Sequence, residues 1–263
     1  MKISLFVFWG LIICTGLYVC LLVFAFVFAE RMIFPTPKST YEYIENINML
    51  SLKDGRKIAS LFWQNKGSEI CVIYSHGNGE DLGKIYQLMQ NYHDRLGVNV
   101  VAYDYCGYGV SDGRMSQADL PKCADAVYDY VTKTLGFKPQ NIFFVGYSLG
   151  SSPAAYLAAK NPEARGVLIV GGVSRGVKTI LPYDIIPWKI LHNVEYYPNI
   201  KIPVLFFHGT LDKIVHIRNA YENLEESKNT VARLVKFHGY GHFPLFESQL
   251  YWSELSNFIK NTK

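Results

Sequence analysis

Hydrophobic and polar positions along the chain fall into two regimes. From Ser4 to Ala29 there is no charged residue, and Leu, Val, Phe and Ile dominate. About 26 residues at a rise of ~1.5 Å make a helix of about 39 Å, long enough to cross a hydrocarbon core of about 30 Å with some tilt. A cleaved secretory signal is the rival reading, since Val27-Phe28-Ala29 resembles a small-residue cleavage site. Such signals carry apolar regions of only ~7–15 residues behind a charged start, and here the start is just Met1-Lys2. The pattern therefore predicts an uncleaved N-terminal transmembrane helix. Residues 1–32 form the anchor, and residues 33–263 form one folded domain.

Beyond the anchor the pattern shortens. Two strand-like stretches, 43–53 and 58–64, flank Asp54-Gly55, a strong hairpin signal. Short apolar runs follow at 69–75, 98–103, 141–146, 166–171, 203–208 and 231–237, each the length of a buried strand. Between them lie segments of helical spacing. In 81–95 the apolar positions are Ile85, Leu88, Met89 and Tyr92, and in 116–135 they are Leu120, Cys123, Val127 and Val131. Further helical segments are expected at 151–160, 217–226 and 244–260. The stretch 174–199 holds Pro182, Pro187 and Pro198 and reads as broken helix or a short, irregular cap. After the opening hairpin, the repeated order of strand, turn and helix predicts an α/β fold, a mostly parallel central sheet with helices on both faces.

Composition narrows the function. The formal net charge is only +4 and there is no Lys/Arg block, which excludes a nucleic-acid footprint. Three cysteines lie outside the apolar segment, Cys71, Cys106 and Cys123, an odd number that suggests no disulfide framework.

In an open parallel sheet, functional residues collect just past the carboxyl ends of the strands. Here those positions hold His76-Gly77-Asn78, Asp104, Ser148, Gly171-Gly172, Asp212 and His242. Ser148 sits in Gly146-Tyr147-Ser148-Leu149-Gly150, between an apolar run and a small-residue helical segment. This is the sequence form of a nucleophile elbow, a sharp strand-to-helix turn that exposes the serine. The flanking glycines fit that turn, since side chains there would collide with the neighbouring strand and helix.

With these motifs in family order and spacing, the chain resembles serine α/β-hydrolases from about Tyr43 onward. It is similar in particular to the membrane-anchored branch of depalmitoylase-like α/β-hydrolase-domain proteins and relatives of monoglyceride lipases and serine aminopeptidases. The resemblance implies Ser148 as nucleophile, His242 as base and Asp212 as the acid that orients it. It also implies an oxyanion hole from the backbone amides of Leu149 and Asn78. Asp104 is the rival acid, but beside a Gly-rich turn it reads as a loop-ordering carboxylate, and His76 reads as a loop-ordering residue. A zinc pair of His238 and His242 is a poor fit, because the intervening glycines argue for a loop and no third ligand is apparent. The expected activity is hydrolysis of a carboxylic ester or thioester through an acyl-enzyme, with neither metal nor organic cofactor. The expected partners are a small acyl or lipid-like substrate and the bilayer, engaged through residues 4–29 of a membrane protein. The alternatives are a serine peptidase or amidase of the same fold, and a catalytically silent binding protein.

Overall fold

The computed structural model describes residues 5–176 and 187–262. Residues 1–4 of the predicted anchor and residues 177–186 of the predicted cap, Pro182 included, lie outside the described residues. The chain begins with a helix, α1 (Leu5–Ile33), of which Leu5–Phe28 is long and apolar enough to cross a membrane and is not buried against the rest of the protein. An eight-stranded sheet follows: β1 (Asn48–Ser51), β2 (Lys57–Trp63), β3 (Cys71–Ser75), β4 (Asn99–Tyr103), β5 (Ile142–Tyr147), β6 (Gly166–Val170), β7 (Val204–Gly209) and β8 (Ala232–Phe237). Its order is β1-β2-β4-β3-β5-β6-β7-β8, with the β1–β2 and β2–β4 pairings antiparallel and the other five parallel.

The inner strands read as unbroken apolar runs because both of their faces are covered. Alternate residues feed two separate cores. Cys71, Ile73, Val101, Ile142, Phe144, Val167, Ile169 and Phe206 pack on one side with α3 (Asp119–Asp129) and α4 (Ser151–Lys160). Val72, Tyr74, Val100, Phe143, Val145, Leu168, Leu205 and Phe207 pack on the other with α2 (Leu82–Leu96) and α6 (Gln249–Asn261). Between β7 and β8 runs α5 (Arg218–Glu226), which meets the first core through Leu224. Each large aliphatic or aromatic side chain so withdrawn from water stabilises the fold by roughly 1.5–3 kcal/mol.

The helix ends follow local chemistry. Asp81 caps α2 by accepting from the Lys84 amide, and Gly97 ends it in the left-handed region at φ +64°. Two expectations need adjustment. The first strand begins at Asn48 rather than Tyr43, because Asn46 turns left-handed at φ +64° and Thr40 and Tyr41 bond elsewhere. The helix expected over 116–135 is α-helical only for Asp119–Asp129 and then widens to a π turn, Tyr130–Thr134. There the Thr132 hydroxyl donates to the Tyr128 carbonyl at 2.7 Å, competing with the backbone ladder. The described part of the cap contains two short 3₁₀ turns, Asn193–Glu195 and Tyr197–Asn199.

Candidate active site

β5 delivers Ser148 to the top edge of the sheet. At that residue the backbone swings to φ +50°, a left-handed conformation that a serine adopts only under constraint, and α4 begins three residues later. The constraint is the close approach of three elements. A Cβ on Gly150 would stand 1.9 Å from the Ser75 carbonyl oxygen at the end of β3, and one on Gly146 would stand 2.3 Å from the Gly150 carbonyl oxygen. Both positions therefore require glycine, as the sequence pattern predicts.

Two neighbouring strand ends complete the group. Asp212 follows β7 and His242 follows β8, and both are buried. His242 Nε2 lies 2.9 Å from Ser148 Oγ, and His242 Nδ1 lies 2.7 Å from Asp212 Oδ2. The other Asp212 oxygen accepts the backbone N–H groups of Ile214 at 2.9 Å and Val215 at 2.8 Å, which fixes the carboxylate plane. Burial alone would push the Asp212 carboxyl up, but hydrogen bonds from His208 and His242, the His242 charge and the Val215 amide outweigh it. They hold it well below the usual carboxylate range. Asp212 is thus ionised and accepts only, so Nδ1 carries the imidazole proton and Nε2 is left to accept from Ser148. The imidazole is held further by Tyr147, whose ring lies 5.3 Å from it and whose hydroxyl donates to the His242 carbonyl at 3.3 Å.

A model of a family described as the alpha/beta hydrolase fold matches residues 71–186. Alpha/beta hydrolase domain-containing protein 17B of Homo sapiens is 26% identical over 219 residues, 80% of this chain and 74% of that protein. Among solved structures, the Pyrococcus furiosus esterase Pf2001 superposes with a TM-score of 0.72 at 18% identity, covering 86% of this chain and 96% of the esterase. Est1E from Butyrivibrio proteoclasticus, solved with ferulic acid bound, gives 0.69 at 20% identity, covering 82% and 98%.

The chain has the α/β-hydrolase fold.

The remaining predicted site residues are close by. Leu149 occupies the first turn after the nucleophile elbow, where helical amides have no intrahelical acceptor. Asn78 lies in the loop after β3, beside the elbow: a Cβ on Gly77 would stand 2.8 Å from the Tyr147 ring. The Asn78 amide makes no hydrogen bond among the described residues. The rival acid, Asp104, points elsewhere. Its carboxylate accepts from the Leu82 amide at 2.8 Å and the Tyr41 hydroxyl at 2.5 Å, and faces His76 Nε2 at 3.4 Å. Burial opposes a charge on His76, but the Asp104 carboxylate outweighs it and raises the imidazole above its ordinary value. Both residues therefore order the loop, as expected.

Three contributors escape a linear reading. Glu80 accepts the Gly77 amide at 2.7 Å and lines a crevice with Tyr147, His242 and Phe246. Ser151 accepts from Val173 N at 3.2 Å and from Asn193 Nδ2 at 3.1 Å and donates to the Ser148 carbonyl at 2.6 Å, tying the elbow to the cap. Gly171, at the strand end where an acid could also stand, leaves room for the imidazole, with its ideal Cβ position 3.2 Å from His242 Cε1. Gly171 had a signal as a strand-end position, and Glu80 one as the third residue beyond Gly77; Ser151 had none.

Proposed function

We propose that this chain is a membrane-anchored ester or thioester hydrolase in which Ser148, His242 and Asp212 form the catalytic triad. The observation that carries the reading is the continuous chain from Ser148 Oγ through the His242 ring to Asp212, at 2.9 and 2.7 Å. Ser148 Oγ attacks the acyl carbon as its proton passes to His242 Nε2, and Asp212 stabilises the resulting imidazolium. The amides of Leu149 and Asn78 donate to the oxyanion of the tetrahedral intermediate. When that intermediate collapses, the carbonyl re-forms, the acyl–O or acyl–S bond breaks, and His242 returns the proton to the leaving alkoxide or thiolate. Water then attacks the acyl-Ser148 ester with the same imidazole as base, releasing the carboxylic acid.

Residues 1–32 serve as the anchor and 33–263 as the catalytic domain. A span without a charge over Leu5–Phe28 supports the anchoring, and it favours lipid-like or acylated substrates presented at a bilayer surface. A second reading has one observation behind it. The Glu80 carboxylate in the crevice beside His242 could receive a protonated amine, which suits an aminoacyl substrate. Hydrolysis of p-nitrophenyl and acyl-thioester series by the full chain in detergent tests the first reading, and aminoacyl amides test the second. Turnover of amides alone would reverse their order. Membrane anchoring is tested by alkaline carbonate extraction, where release of the full chain into the soluble fraction would end that part of the proposal.

A further inference from the structure

The segment between α1 and β1 is a strap across the loop that supplies the proposed oxyanion donor. α1 ends at Ile33, whose carbonyl is among those left without an intrahelical partner at a helix C-terminus. That carbonyl accepts from Asn78 Nδ2 at 2.6 Å, while Asn78 Oδ1 accepts from the Tyr108 hydroxyl at 2.6 Å. The next residue, Phe34, is fully buried in the core, so the end of the helix is fixed to the domain. Six residues beyond Phe34, Thr40 bonds both oxygens of Asp81 through its amide and its hydroxyl, and Tyr41 bonds Asp104. The loop from His76 to Asp81 is thus pinned at Asn78 and Asp81 by residues leading directly out of the membrane helix. Asn78 itself is solvent-exposed; the turn that contains it is closed by Glu80 N donating to the Gly77 carbonyl at 3.3 Å, and the two side-chain hydrogen bonds fix that turn, and with it the Asn78 backbone amide, against α1 and Tyr108.

We infer that the Asn78 carboxamide is a positioning strut that couples the end of the membrane helix to the oxyanion hole. The inference rests on the reading of the Asn78 amide as an oxyanion donor. A donor displaced by about 1 Å can cost on the order of 100-fold in rate, close to the 10²–10³ expected for losing it outright.

The test uses the full chain in detergent with Asn78→Ala, Tyr108→Phe and the double variant, all of which keep the backbone N–H at residue 78. The readouts are kcat and KM on a soluble p-nitrophenyl ester, the inhibition constant of a trifluoromethyl ketone, and Tm. The expected result is a fall in kcat of roughly 10- to 100-fold for Asn78→Ala and a smaller fall for Tyr108→Phe, with ketone affinity falling in parallel and KM and Tm nearly unmoved. The two losses should be non-additive, because both act on one strut. A merely structural role would lower Tm and leave the ketone affinity per folded molecule unchanged, which overturns the inference. Asn78→Pro, which deletes the N–H itself, separates the two possible failures. If it is folded and inactive while the other variants keep full kcat, the strut fails and the oxyanion reading stands. If it is folded and active, the oxyanion reading fails and takes the strut with it.

Discussion

Replacing Asp212 by Asn tests the proposed division of labour in the triad, and the surroundings of Asp212 dictate the result. Asp212 Oδ1 is held by two backbone donors, Ile214 N at 2.9 Å and Val215 N at 2.8 Å, so that position must remain an acceptor. In Asp212→Asn the side-chain oxygen therefore takes the Oδ1 place, and the amide nitrogen, a donor only, faces His242 Nδ1. The imidazole is driven to the tautomer with its proton on Nε2, which then donates to Ser148 Oγ instead of accepting from it. The geometry survives and the base is lost. Such a tautomer reversal in a serine triad costs about 10⁴-fold in kcat, or about 5.4 kcal/mol in the barrier. The assay is kcat on a p-nitrophenyl ester across neutral to alkaline pH, with far-UV circular dichroism to verify the fold. The variant should also respond differently to acid. A carboxyl held below its ordinary value of about 3.9 contributes stability that is present above that pH and is lost as pH falls through the depressed folded-state value. Asp212→Asn should therefore be less stable than the parent at neutral pH, and the gap should close in acid. A loss of kcat below about tenfold would refute the assignment of Asp212 as the orienting acid.

Three further outcomes follow from other sites. Gly171→Ala should lower kcat by about tenfold or more, because the backbone there is left-handed at φ +54° and the new methyl would press on the His242 ring at 3.2 Å; unchanged kcat would mean the imidazole has slack. Tyr197→Phe should leave stability unchanged or raise it by up to about 1 kcal/mol in urea denaturation, because the buried hydroxyl has no partner among the described residues, and a clear loss would contradict this. Arg56→Leu should cost about 1–3 kcal/mol with little change in m, because it removes the guanidinium at 2.5 Å from the buried Asp119 carboxylate and leaves, among the described residues, Ser116 and Lys122 on it; a change below about 0.5 kcal/mol would show that Lys122 compensates.

Much of this architecture was legible because it is written locally. The apolar runs of β3 to β8 stop where the sheet ends, so Ser148, Asp212 and His242, the proposed triad, could be picked out as residues just past strand ends. Gly146 and Gly150 were legible for a related reason, since close packing at a tight turn leaves only one residue type. The strap was not legible. The Asn78 to Ile33 bond joins residues 45 positions apart, and the Thr40 to Asp81 bonds span 41, so neither leaves a periodicity along the chain. The structure fastens the segment after α1 to the domain at Phe34, Thr40 and Tyr41. Asn46 and Thr132 redirect their elements through a left-handed turn and a side-chain bond to the backbone, choices that propensity does not weigh. Glu80 lay in plain view, but only the fold brings it beside His242.

The central claim is that the acyl group is carried on Ser148. The most direct measurement is intact-protein and peptide mass spectrometry of the full chain after brief exposure to a fluorophosphonate, and separately to a slowly deacylating p-nitrophenyl ester. The account predicts one adduct per chain, on the peptide containing Ser148, absent from Ser148→Ala along with all turnover. An adduct on another residue, or ester hydrolysis that persists in Ser148→Ala, would contradict it.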